Sequence, residues 1–245
     1  MSAGSAAAPL AIWDVDGTLV DSRETIAWCM AEGFAGAGLP PPDYDATRHI
    51  VGLTLSHGVA VMTPGLDSAT QVAIVDGYRA AFQALHADPA FKEPLYAGAA
   101  ELLARLAAAG WRQAVATGKS RRGLDRVIAA NGWEQTFWSL HCSDDGPGKP
   151  DPAMVLAALA ATKTPPDRAV MLGDTSHDMR MARAAGVRAM AVTWGFHTAE
   201  ELCGEADAVC GTWAELEAEL DAHAARTSAS YSGARLPMTP SQKSL

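Results

Sequence analysis

The feature that most constrains this chain is the run Leu10-Ala11-Ile12-Trp13-Asp14-Val15-Asp16-Gly17-Thr18. An apolar segment of strand length ends in a carboxylate, and a second carboxylate follows two positions later. Residues i and i+2 of an extended segment face the same way, so Asp14 and Asp16 point into one site. Gly17 lets the chain turn sharply without a side-chain penalty, and Asp21-Ser22 reads as the start of a helix. Two carboxylates held together at the carboxyl end of a strand resist ionising together, a cost that a bound divalent cation removes. A solvated acidic turn is the alternative, and it has no need of an apolar strand before it. An EF-hand loop from Asp14 fails, since its glycine would fall on Leu19 and its closing glutamate on Thr25.

The rest of the chain supplies a sheet for that strand. A helical stretch over 22–38 ends at Leu39-Pro40-Pro41-Pro42. The segment 43–94 has no strand pattern and reads as short helices, around 53–62 and over 68–85, separated by Pro64-Gly65. From Tyr96 helices and strands alternate. Helices are expected over 99–109, 120–130, 153–161, from the Asp174 loop to near Gly186, and over 212–223. Strands are expected at 112–116, 137–142, 169–172 and 188–192, with a weaker one at 206–210. Such alternation implies an α/β fold, a parallel sheet covered on both faces. The tail 224–245 is rich in Ser, Thr, Ala and Pro, carries no acidic residue, and reads as disordered.

Parallel sheets bind ligands at the carboxyl ends of their strands, and four such ends carry polar residues: Asp14 with Asp16, Thr117-Gly118, Lys149, and Asp174 with Asp178. Singly, Thr117-Gly118 reads as a turn, Lys149 as a solvated lysine, and Asp174 and Asp178 as a helix cap and a first-turn acid. Gly118-Lys119-Ser120 mimics the end of a phosphate loop, but Gln113 stands where that loop needs glycine.

Taken together, Asp14-Val15-Asp16-Gly17-Thr18, Thr117, Lys149-Pro150 and Gly173-Asp174 with Asp178 resemble, in order, the four motifs of the haloacid dehalogenase-like hydrolases. The stretches around Thr117 and Asp174 resemble the phosphoglycolate phosphatase-like branch. The resemblance implies a Rossmann-like parallel-sheet core over 10–20 and 95–223, with an α-helical cap inserted over 21–94 and a flexible start over 1–9. It implies Asp14 as nucleophile and Asp16 as general acid and base. Thr18, Thr117, Gly118 and Lys149 would bind the phosphate, with Thr117 and Lys149 also serving catalysis. Mg²⁺ would be held by Asp14, Asp16 through its carbonyl, Asp174 and Asp178, the last directly or through water. The substrate implied is a small phosphorylated metabolite, foremost 2-phosphoglycolate. Sugar-phosphate, nucleotide and pyrophosphate phosphatases of the family are alternatives, as is a phosphotransferase or mutase. The β-phosphoglucomutases carry a cap histidine where this chain has Ile26, which favours hydrolysis. Asp16 favours phosphate-ester chemistry over dehalogenation. In the cap, Arg48, His49 and His57 are candidates to contact a substrate carboxylate, although surface or core roles suit each of them too. His177, inside the fourth motif, is not expected to be catalytic.

A net charge of −9 argues against nucleic-acid binding. The four cysteines form no CxxC pair, no apolar run reaches membrane-spanning length, and no signal peptide is evident, so a cytoplasmic protein is expected, either monomer or dimer.

Overall fold

The computed structural model describes residues 8–88 and 90–233. Strand β1 (Leu10–Trp13) leads into four helices, α1 (Arg23–Gly36), α2 (Tyr44–Ile50), α3 (Leu55–Met62) and α4 (Ser68–Leu85). Then follow α5 (Ala99–Ala108), β2 (Arg112–Ala116), α6 (Arg121–Asn131), β3 (Ser139–His141), α7 (Ala153–Thr162), β4 (Ala169–Gly173), α8 (Ser176–Ala184), β5 (Arg188–Val192), α9 (Ala199–Leu202), β6 (Ala208–Cys210) and α10 (Trp213–Gly233). The six strands form one sheet in the order β3-β2-β1-β4-β5-β6, every neighbouring pair parallel.

Period-2 alternation along β1 divides its side chains between two cores. Ala11 and Trp13 pack with residues of α5, α6 and α10, while Leu10 and Ile12 pack with residues of α7 and α8. Burial on both faces explains why the strand is apolar throughout. The buried polar atoms on this strand's flank are matched: Trp13 Nε1 donates to Gln113 Oε1 at 3.1 Å, and Gln113 Nε2 donates to the Leu103 carbonyl at 2.9 Å. The α/β parallel-sheet core expected from the sequence is the one observed.

Helices α1–α4 share a separate apolar cluster containing Met30, Phe34, Ile50, Val59, Ile74 and Val75. Helices α1 and α4 cross with main chain against main chain. A Cβ added to Gly33 would lie 2.6 Å from the Ile74 carbonyl oxygen, and one added to Gly77 would lie 2.9 Å from Gly33 Cα. The segments that leave and rejoin the sheet layer pair with each other. Asp21 N–H donates to the Pro94 carbonyl at 2.8 Å, and Tyr96 N–H donates to the Leu19 carbonyl at 3.0 Å.

Local details differ from the sequence reading at four places. Ser22 occupies the N-cap position of α1 but does not cap it. Its backbone (φ −96°, ψ 9°) is not extended, as a side-chain cap requires, and its buried hydroxyl has no hydrogen-bond partner. Asp21 instead grips the Arg23 guanidinium at 2.6 and 2.7 Å. Helix α2, hidden behind the proline run, is capped by Asp43, which accepts from Ala46 N–H at 2.6 Å. Helix α9 carries a Thr198–Glu201 capping box. Helix α10 runs on to Gly233, so the first part of the tail expected to be disordered is helical. Ala224 packs on the core, and Arg168 Nη1 donates to the Thr227 carbonyl at 3.2 Å. Positions 234–245, and 1–7 of the expected flexible start, lie outside the described residues. Among the described residues no helix is long and apolar enough to cross a membrane.

Candidate active site

The sheet order reverses at β1, with β2 on one side and β4 on the other, so the crevice at the carboxyl end of β1 is where such a sheet places its ligand. Asp14 follows directly. Its N–H donates to the Leu172 carbonyl of β4 at 2.9 Å, which continues the sheet pairing one residue past the strand. The turn then closes on itself, with Leu19 and Val20 N–H both donating to the Val15 carbonyl.

Four buried charges meet at this point. Lys149, 1% exposed, places Nζ 2.8 Å from Asp14 Oδ1 and 2.6 Å from Asp178 Oδ1. Asp14, Asp174 and Asp178 offer carboxylate oxygens that all lie within 4.8 Å of one another. Burial is the main force raising the Asp14 carboxyl, and the Asp178 and Asp16 charges add to it while Lys149 opposes. The balance puts Asp14 at about 7. Asp174 is driven well above the usual carboxylate range, first by burial and then by Asp14 and Asp178. Three buried carboxylates facing one ammonium leave uncompensated negative charge. Lys149 Nζ is shared between Oδ1 of Asp14 and Oδ1 of Asp178. An all-oxygen, anionic cluster of this kind suits a hard divalent cation.

Each member is fixed by its neighbours. Asp174 Oδ1 accepts from the Thr18 hydroxyl at 2.8 Å and Oδ2 from Phe196 N–H at 2.8 Å. Asp178 Oδ2 accepts from the Thr175 hydroxyl and N–H in the capping box of α8. Gly17 adopts φ +79°, and a Cβ there would lie 2.2 Å from Asp174 Oδ2. Gly17→Ala is therefore expected to cost about 1–3 kcal/mol in backbone strain alone and to displace Asp174. Thermal melting should fall, and an alanine variant that melts like wild type would overturn this account of the turn.

Asp14, Asp16, Thr117 and Gly118 line a cavity of about 430 Å³ between the sheet end and helices α1–α4. Of the residues expected at the site, Lys149, Asp174 and Asp178 lie behind that wall. The Thr18 hydroxyl donates to Asp174 Oδ1. The Thr117 hydroxyl accepts from Lys119 N–H at 3.2 Å. Two residues of the site have no role assigned to them by the sequence. Lys119 Nζ sits 2.8 Å from Asp16 Oδ1 and 3.1 Å from Glu93 Oε1, so a buried Asp16–Lys119–Glu93 chain fixes Asp16 at the cavity wall. In the sequence Lys119 stands out only within the phosphate-loop mimic Gly118-Lys119-Ser120. Glu93 comes from the returning linker and carried no local signal.

Arg48 and His49 do not reach for the cavity's interior. Arg48 forms a two-pronged pair with Glu201 at 2.8 and 3.0 Å and donates to the Phe196 carbonyl, while His49 Nε2 lies 2.8 Å from Glu201 Oε1. These contacts tie α2 to α9 across the two layers. His57 is exposed. His177 Nε2 contacts the His49 carbonyl at 3.0 Å.

The sequence profile described as haloacid dehalogenase-like hydrolase matches residues 11–192, which spans the whole constellation. The chain belongs to the haloacid dehalogenase-like hydrolases. Within this family it is 32% identical to "Probable phosphatase IndB" of Dickeya dadantii, over 85% of this chain and 91% of the relative. It is 30% identical to phosphoglycolate phosphatase of Agrobacterium fabrum, over 86% of this chain and 92% of the relative. A tyrosine-protein kinase, PtkA of Mycobacterium tuberculosis, is 36% identical over 78% of this chain, which spans 64% of that longer relative. The crystal structure of CbbY from Rhodobacter sphaeroides in complex with phosphate superposes with a TM-score of 0.74 at 28% identity, covering 87% of this chain and 99% of that one. These likenesses place the chain in the phosphoglycolate phosphatase-like branch of the family.

Proposed function

We propose that this hydrolase cleaves a small phosphomonoester, 2-phosphoglycolate or a similar phosphorylated metabolite, through a phosphoryl group carried transiently on Asp14. The observation that carries the reading is the division of labour at the end of β1. Asp14 and Asp16 face the cavity, whereas Asp174, Asp178 and Lys149 are packed behind Asp14.

Asp14 Oδ attacks phosphorus and the bond to the ester oxygen breaks. Asp16 delivers a proton to the departing alkoxide, then takes one from the water that attacks the aspartyl-phosphate. Phosphate leaves and Asp14 is restored. Lys149 orients Asp14, and Lys119 with Glu93 holds Asp16 where both proton transfers occur. Gly118 N–H and Thr117 stand at the cavity wall, where phosphate oxygens gather charge. Mg²⁺ is the cation proposed, with Asp14, Asp174 and Asp178 as carboxylate ligands and Asp16 contributing its carbonyl. When bound, it screens the repulsion between a carboxylate and an anionic phosphate.

Helices α1–α4 are the proposed cap, closing over the substrate and limiting access of bulk water. Ile26 lines the cavity at the position where the mutases of the family have histidine, and an aliphatic side chain has no proton to exchange with a sugar hydroxyl. Hydrolysis is therefore favoured over transfer. A cytoplasmic setting belongs to the same proposal and is supported by four free cysteines.

The test is phosphate release across a panel of phosphorylated metabolites, with Mg²⁺ and with chelator. Metal-dependent release centred on 2-phosphoglycolate supports the whole reading. Release centred on sugar phosphates or nucleotides keeps the chemistry and discards that substrate, and release unaffected by chelator removes the cation from the proposal.

A further inference from the structure

The cavity over Asp14 is larger than a phosphoryl group needs, and its cationic side chains outnumber their partners. Arg122 and Arg126 line it from α6, four residues apart and so on one helix face, and Arg79 lines it from α4. Arg79 lies 3.6 Å from Asp76 of its own helix, and several carboxylates around the cavity are engaged with other groups. Asp16 and Glu93 share Lys119. Asp144 accepts from the Arg121 N–H at 2.8 Å, and Asp145 pairs with the Arg121 guanidinium at 2.6 Å. Among the described residues neither Arg122 nor Arg126 forms an ion pair. Arg126 Nη1 is in addition buried with no hydrogen-bond partner, a donor left unmatched at a cost that proteins ordinarily avoid. The neighbouring histidine stays neutral. His86 is lowered to about 4, by burial first and then by Arg126, Lys119 and Arg122. The wall shared with these cations is apolar and includes Met30, Tyr78 and Phe82.

We infer that Arg122 and Arg126, with Arg79 from the helical layer, form a second anion subsite that selects phosphomonoesters bearing a carboxylate or a second phosphate at the end remote from the scissile group. The inference rests on the phosphatase reading for the first subsite and adds the specificity determinant. The scissile phosphate lies over Asp14, the carbon chain crosses the apolar wall, and the far anion meets the guanidiniums of Arg122 and Arg126. A planar guanidinium suits either oxyanion because its N–H groups match paired oxygens.

The experiment uses linear alkyl phosphates of graded chain length whose far end is hydroxyl, carboxylate or phosphate. The readout is the ratio of kcat/KM for each anion-ended ester to that for its hydroxyl-ended counterpart, in wild type, Arg126→Gln and the Arg122→Gln/Arg126→Gln double variant. A wild-type ratio of about tenfold or more, on the scale of one charge-assisted hydrogen bond, that collapses towards one in the double variant supports the subsite. The end group with the larger ratio identifies the anion. A wild-type ratio near one, or a ratio the double variant leaves intact, overturns it. Calorimetric binding of an alkane-α,ω-bisphosphate and the matching monophosphate to the same proteins gives a readout without turnover. If no ester is hydrolysed, the phosphatase reading falls. The subsite then stands if the bisphosphate binds more tightly than the monophosphate and Arg126→Gln removes the difference, and falls otherwise.

Discussion

Asp14→Asn is expected to abolish phosphate release and, in the absence of divalent cations, to melt higher than wild type near and above pH 7. The two effects have one origin. Asn keeps the shape of the side chain but has no anionic oxygen to attack phosphorus, so turnover should fall by roughly 10⁴-fold or more, as for other covalent nucleophiles. Stability moves the other way because the folded protein holds Asp14 in surroundings that disfavour its charge, raising it from 3.8 to about 7. For a group raised on folding, the contribution to stability is complete below the unfolded value and lost as pH rises through the folded one. The metal-free wild type should therefore lose stability relative to Asp14→Asn between about pH 4 and pH 7, where the amide stays neutral. A gap of several degrees in melting temperature is expected at pH 8, and Mg²⁺ should close it by stabilising the wild-type carboxylate. Equal melting of the two proteins across that range in chelator would refute the electrostatic account. Retained turnover in the variant would refute the nucleophile.

The second large effect is expected at Lys149. Among the described residues its ammonium is the only cation placed against Asp14 and Asp178, and all three groups are fully enclosed. Lys149→Met fills the same channel with an apolar side chain but leaves Asp14, Asp174 and Asp178 facing one another without a counter-charge. Removing one partner of a buried pair costs about 3–5 kcal/mol, and the loss should appear as a marked drop in melting temperature in chelator. Saturating Mg²⁺ should restore part of it, since a ligand at 100 times its Kd contributes about 2.7 kcal/mol. Turnover should fall roughly 10²–10³-fold even with metal, because Asp14 is no longer oriented. Lys149→Arg is not expected to rescue either property, since a planar guanidinium does not fit a slot shaped for an ammonium point charge. Unchanged melting of Lys149→Met in chelator would show that the pair does not carry the stability assigned to it.

How much of this was legible in the sequence follows from which contacts are local. The strand ends at Asp14, Thr117 and Asp174 could be read because the apolar run, the turn and the carboxylate lie within a few residues of each other. Lys149 could be placed near them only through the motif order, and its position between Asp14 and Asp178 required the fold. Glu93 and Lys119 escaped because their pairing joins the end of the returning linker to the loop after β2. Helix α9 was readable in principle, since Thr198 and Glu201 have capping-box spacing. The extension of α10 was not. The segment after His223 lacks apolar periodicity, and what supports it there is packing of Ala224 on a core drawn from distant segments.

The crossing of α1 and α4 sets a limit on how this enzyme can accommodate ligands. One wall of the cavity comes from Ile26 and Met30 on α1, another from Tyr78, Arg79 and Phe82 on α4. At Gly33 and Gly77 no side chain lies between the two helices to act as a compressible spacer. Their separation is set by main-chain van der Waals contact, which side-chain rotation cannot relax. The two helices thus behave as the fixed jaws of a gauge. The cavity therefore cannot be narrowed by pressing α1 closer to α4, because their main chains already touch at Gly33 and Gly77.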